Sequence, residues 1–355
     1  MSWIGISTGR RMIRHPASSG LARDGLLPAG TILIEIQFTA ERGRPQTVID
    51  LNRHAGWLRH FSVTLTNDAE MLVEYRQDAQ VTKARLRFAQ PDRDANLRIT
   101  LTWHAPRRIG LMTLENHDTG EQSQSVFADP HPWPLDDFAA LIELGDNCSV
   151  CPTTTLLACS DAVEPVGLRT GFAAGTKIDT AAGPRAVERL RPGDVVQTSE
   201  HGMQPIRRTI IQEVPAFGRF APVRLRAPFF GLQRDLTVAP EHRLLISGVD
   251  AEYLFGSDEV LVEARHLAQM AAGPRLKPSP TIRYVQVLLD AHVCLSVAGA
   301  WSESLYLGDL VDHPEKHAGS ALAGIARRDL PRHHRVASPQ LRGYEAMVLV
   351  SELCA

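Results

Sequence analysis

Long apolar runs are missing from this chain. Hydrophobic residues make up 44% of its 355 positions, yet nowhere do they run on for the roughly 18 residues that a membrane-crossing helix needs, so no membrane insertion is expected. An excess of either charge is missing too. Lys and Arg number 38 against 40 Asp and Glu, for a net charge of −2, which leaves no broad cationic surface for nucleic acid or anionic lipid. Cysteine is scarce and odd in number, at five, which argues against a disulfide framework and for reduced thiols. Met1-Ser2-Trp3-Ile4-Gly5 lacks the charged-then-apolar start of an export signal. The default expectation is a cytoplasmic protein, with signal-independent export left open.

What is present suffices for two globular cores, since the chain exceeds the length of one ordinary domain. After a mixed stretch over 1–30, Ile32, Ile34, Ile36 and Phe38 alternate with Leu33, Glu35 and Gln37, the period-2 pattern of a half-buried strand. Similar alternations recur at Phe61–Leu65, Met71–Tyr75, Ala84–Phe88 and Leu97–Trp103. Turn signals separate them at Thr66-Asn67-Asp68, Gln90-Pro91-Asp92 and His104-Ala105-Pro106. Short strands at even spacing without a helical period predict an antiparallel sandwich. In texture this region, through Trp103-His104-Ala105-Pro106 and Ile109–Glu115, resembles concanavalin-like (jelly-roll) sandwiches. Such a fold would take glycans by stacking on exposed rings, for which Trp57, Trp103 and Trp133 are the candidates; the alternative is that these tryptophans are buried packing.

Residues 129–170 read as a joint. Asp129-Pro130-His131-Pro132-Trp133-Pro134 interrupts regular structure, and Leu135–Leu144 predicts a short helix with Asp136 and Asp137 in its first turn. Cys148-Ser149-Val150-Cys151 and Cys159 follow. They offer three thiolates where a structural zinc site wants four ligands, so Cys148, Cys151 and Cys159 are weak metal candidates, and no metal is the expectation.

From residue 171 the pattern becomes specific. Gly171-Phe172-Ala173-Ala174-Gly175-Thr176 is followed by Val187-Glu188-Arg189-Leu190-Arg191-Pro192-Gly193-Asp194-Val195-Val196, then by Leu236-Thr237-Val238-Ala239-Pro240-Glu241-His242-Arg243. Val285–His292 and Gly299–Gly308 complete the ordered blocks. This succession resembles the Hint module shared by hedgehog autoprocessing domains and inteins, in its bacterial form. The family opens with Cys-Phe-x-x-Gly-Thr and carries Thr/Ser-Pro-x-His-Arg as a later block. Here Gly171 stands at the first position of the one, and Ala239 at the first position of the other.

Self-cleavage needs a Cys or Ser side chain directly after the scissile bond, to take the preceding carbonyl as an ester. It also needs an imidazole to protonate the departing nitrogen and a donor for the oxyanion. The resemblance assigns the bond Thr170–Gly171, with His242 as the acid. Without a side chain at Gly171 no ester can form, and the alternative reading of His242 is a buried imidazole bonded within a β core. His292 matches a family histidine, with Asp290 as a candidate to orient it; the alternative is that both mark a strand end. No terminal His-Asn pair is present, so splicing is not expected. His317, His333 and His334 lie in a locally basic, helix-like run, and no carboxylate or cysteine sits at a spacing diagnostic of a metal site.

The expectation is thus a mainly β protein: an arm over 1–30, an antiparallel sandwich over 31–128, a linker over 129–170, an all-β Hint module over 171–311, and a helical tail with a closing strand over 312–355. Its role would be structural, adhesive or in assembly, with a degraded autoproteolytic site and no cofactor. Its partners would be proteins or, through the sandwich, glycans. The alternatives are cleavage at Thr170–Gly171 and a carbohydrate-binding protein.

Overall fold

The computed structural model describes residues 2–9, 12–14, 25–40, 44–145, 147–167, 169–273 and 279–353. They fall into two compact units, Met1–Val166 and Gly167–Ala355.

In the first unit the alternation at Ile32, Ile34, Ile36 and Phe38 becomes the strand Ala29–Phe38, and all four side chains are buried. The strand pairs antiparallel with Ala95–His104 over its whole length. Both belong to a seven-stranded sheet ordered Gln122–Ala128, Ile109–Asn116, Ala95–His104, Ala29–Phe38, Thr154–Ser160, Trp3–Ser7, Met12–Arg14. A five-stranded sheet, Cys148–Val150, Gln46–Ala55, Trp57–Leu65, Glu70–Gln77, Gln80–Arg87, supplies the other layer. One continuous core joins Ile32, Ile34 and Ile99 to Phe61, Val63 and Met71; each such side chain contributes about 1.5–3 kcal/mol by leaving water. Close packing shows at Gly30, where an added Cβ would come within 2.5 Å of the Trp103 ring.

The sandwich is larger than its alternating strands suggested. The expected arm contributes Trp3–Ser7 to the large sheet, with Trp3 buried, while 15–24 lie outside the described residues. The expected linker is core. Helix α1 (Leu135–Glu143) buries Phe138, Leu141 and Ile142, and Thr154–Ser160 is an interior strand between Ala29–Phe38 and Trp3–Ser7. The proline cluster did not end the domain because a proline gives up only its own N–H. Trp133–Pro134 still pairs with Leu26–Leu27, and Trp133 stacks on Tyr75 with ring centroids 4.1 Å apart.

In the second unit Thr281–Leu288 pairs antiparallel with Arg208–Pro215 through eight successive residue pairs. On its other edge lies the short strand Phe172–Ala173, which is sandwiched against Leu236–Val238. A second sheet runs Arg185–Ala186, Lys177–Ile178, Cys294–Val297, Ala300–Glu303, Arg243–Ser247, Glu259–Glu263, with Val195–Thr198 and Gly202–Pro205 alongside. Helices α2 (Val249–Phe255) and α3 (Ala264–Ala271) follow strands of this sheet. After the short α4 (Pro314–Gly319), the chain ends in α5 (Gly343–Leu353), whose Ala346, Leu349 and Val350 join the core. The closing strand is therefore a helix, since its apolar residues recur at three and four rather than two. The stretch before it makes a single bridge, Leu261 to Gln340. The helix-like tail is mostly irregular chain, folded over Ile210, Leu288, Leu305 and Leu307.

Candidate functional site

Gly171 precedes the strand Phe172–Ala173, so the pairing of Phe172 with Val238 and Val285 fixes its place. Its φ of +143° lies where a Cβ is strained, and an added Cβ would stand 3.1 Å from Tyr284 Cβ. Glycine suits this backbone because it has no Cβ to clash. Ala239 lies across the same pairing, and its N–H donates to the Gly171 carbonyl at 2.9 Å.

His242 leaves the turn that follows Ala239, held by its own N–H on the Ala239 carbonyl at 3.1 Å. The imidazole is buried, with the Phe172 ring edge-on at 4.4 Å. Its Nδ1 accepts the Gly171 N–H at 3.2 Å. Its Nε2 lies 2.9 Å from Ser302 Oγ, and that hydroxyl donates to the Arg243 carbonyl at 3.0 Å. With Nδ1 accepting and the hydroxyl proton spent, these contacts assign the neutral tautomer protonated at Nε2. Burial pushes the imidazole down to about 4, with Arg243 and His292 adding to the effect and Glu303 opposing it.

The Thr170–Gly171 peptide is gripped at its other end as well. Gln286 Nε2 donates to the Thr170 carbonyl. Gln286 is buried and, among the described residues, its Oε1 has no hydrogen-bond partner, so the amide serves this one carbonyl. One peptide bond thus has its nitrogen on an imidazole and its oxygen on a buried donor, an arrangement that orients and polarises an acyl group for displacement. No attacking side chain stands at Gly171.

Behind the imidazole lies a buried carboxylate. Glu303 Oε1 accepts the Arg243 N–H at 2.9 Å and lies 3.8 Å from His242 Nδ1, while Oε2 lies 3.4 Å from Arg243 Nη1 and 3.6 Å from His292 Nε2. Burial raises the carboxyl, but Arg243 and the two imidazoles outweigh it and hold Glu303 below the usual range. His292 Nδ1 accepts the Ala337 N–H at 3.0 Å.

Gly171, Ala239 and His242 therefore meet at one point, and His292 joins them through Glu303. Asp290 does not orient His292. It is exposed past the end of its strand and paired with Arg207. The carboxylate beside His292 is instead Glu303, 3.6 Å from its Nε2, which reaches the site because Cys294–Val297 pairs with Ala300–Glu303. Gln286 and Ser302 were missed as well. The available signals were a lone amide among Val285, Val287 and Leu288, and a carboxylate in a strand between Ser302 and Ser304.

The other candidates lie elsewhere. Cys148 is on the five-stranded sheet, Cys159 is buried in the seven-stranded one, and Cys151 contacts Gln46 and Thr153. His333 is buried, its Nδ1 accepting the Leu307 N–H and its Nε2 donating to the Leu289 carbonyl; His317 is buried and His334 exposed. Among the described residues no three His, Cys, Asp or Glu side chains gather as a metal site, and no helix is long and apolar enough to cross a membrane. Of the candidate sugar-stacking rings, Trp103 and Trp133 are buried in the sandwich core, whereas Trp57 is exposed with the Arg59 guanidinium 5.0 Å from its ring centre.

No curated protein matches the chain. Among solved structures, it is similar to the bacterial intein-like domain from Clostridium thermocellum at 13% identity, with 38% of this chain and 98% of that one covered and a TM-score of 0.26. It is also similar to the CBM40 of Ruminococcus gnavus IT-sialidase bound to alpha2,6 sialyllactose, at 14% identity, with 45% and 88% covered and a TM-score of 0.29. The family model described as Hint domain matches residues 170–309, and the second unit of this chain carries that domain.

Proposed function

We propose that the Hint domain of this protein has lost self-cleavage and that the chain serves a structural, adhesive or assembly role, with proteins as its partners. The observation that carries this reading is the Thr170–Gly171 peptide, held by His242 and Gln286 with no nucleophile attached to it. Loss of a covalent nucleophile removes the mechanism, whereas loss of one oxyanion donor costs about 10²–10³ in rate. Gly171 therefore outweighs Ala239. For the sandwich, a glycan role is supported by one exposed ring, Trp57.

The test restores what is missing. Gly171→Cys with Ala239→Thr, incubated with a strong thiol at neutral pH and followed by intact mass, is expected to yield fragments meeting at residue 170. Complete inertness of a folded double variant would contradict a cradle that is sound apart from its nucleophile.

A further inference from the structure

Helix α5 is apolar on two sides. Ala346, Leu349 and Val350 face the core, and Tyr344, Met347 and Val348 form a second stripe at spacings of three and four that is open to solvent. Tyr344 is 64% exposed. Helix α2 touches α5 and repeats the pattern. Its Ala251 is buried, while Val249 and Tyr253, one turn apart, are 79% and 86% exposed. A helix that needs only one buried face carries polar residues on the other, and grouped exposed apolar residues mark contact surfaces. The charged side chains within the two helices are all acidic, although the exposed Arg342 directly precedes α5. Asp250 and Glu252 flank the stripe on α2, Glu345 and Glu352 flank that on α5, and neither helix contains Lys, Arg or His.

We propose that this outer face of α2 and α5 is a docking surface for a cationic amphipathic segment of another polypeptide. Apolar side chains of the segment would cover Tyr253 and Tyr344, and its Lys or Arg residues would meet the four bordering carboxylates. The border decides between occupants. A second copy would set carboxylates against carboxylates, and an anionic lipid surface would be repelled. The surface does not depend on the fate of the Thr170–Gly171 bond.

The experiment titrates the full chain with a synthetic Leu/Lys peptide of amphipathic helical spacing, and with its Leu/Glu counterpart, under hydrogen-exchange mass spectrometry. Protection over 249–255 and 343–353 by the Lys peptide alone is expected. Binding should weaken about tenfold or more in Val249→Ser/Tyr253→Ser. The charge reversal Asp250→Lys/Glu252→Lys, which leaves the apolar stripe in place, should weaken it as well. Equal binding of the Glu peptide, binding indifferent to both variants, dimerisation of the chain through this face, or its adsorption to anionic vesicles would overturn the proposal.

Discussion

Each unit of this protein buries a carboxylate against arginine, and the two are used differently. Asp137, in the first turn of α1, sets one oxygen against Arg53 at 3.1 Å and Arg59 at 3.4 Å, and among the described residues its other oxygen has no hydrogen-bond partner. Burial raises its pKa despite both guanidinium groups. Glu303 uses both oxygens, on Arg243 and between two imidazoles, and is held low. A buried carboxylate alone is therefore no mark of chemistry. What sets Glu303 apart is the peptide bond that the adjoining imidazole holds. The sandwich carboxylate anchors a helix, and the Hint carboxylate backs a site.

The comparison breaks first on mutation. Glu303→Gln leaves Arg243 and two imidazoles around a neutral group, and removing one partner of a buried ion pair costs about 3–5 kcal/mol. Asp137→Asn, at a carboxyl that burial raises rather than lowers, should cost less than Glu303→Gln. Urea unfolding of the two variants checks this, and equal losses would remove the distinction.

Acid sharpens it next. His242 binds its proton at about pH 4 in the folded chain and at 6.5 when unfolded, so below pH 6.5 protonation favours the unfolded state. The loss reaches about 3 kcal/mol near pH 4. Burial lowers His333 too, which adds in the same direction. Glu303, held low, contributes stability above the ordinary carboxyl range that is lost as pH falls through its lowered folded value. Asp137 works the other way: with its folded pKa raised, the folded sandwich takes up the proton first and gains as pH falls toward 3.8. Hydrogen exchange from pH 7 to 4 should therefore loosen Gly167–Ala355 before Met1–Val166. Simultaneous loosening, or the reverse order, would count against the assignment of the neutral imidazole.

A further, modest effect is expected at the bond itself. Gly171→Ala adds a Cβ at φ +143° and 3.1 Å from Tyr284 Cβ, a strain of about 1–2 kcal/mol visible as a lowered melting temperature. An unchanged or raised value would mean the backbone there relaxes freely.

These contrasts were unevenly visible in the sequence. The strand Ala29–Phe38 and the blocks around Gly171 and His242 were legible, because alternation and turn residues are local. Glu303 and Gln286 were not, because their roles depend on which strands pair. Asp290 seemed suitable from lying two residues before His292, yet a strand end carries it out to Arg207. The apparent linker misled for a related reason. Prolines at 130, 132 and 134 report where backbone donors are missing, and say nothing of Trp133 filling the core beneath them.

The central claim is that the bond between Thr170 and Gly171 stays whole. Intact mass of the unaltered chain, held with a strong thiol at neutral pH, measures it directly. A single species at 39.1 kDa is predicted; fragments meeting at residue 170 would contradict the account.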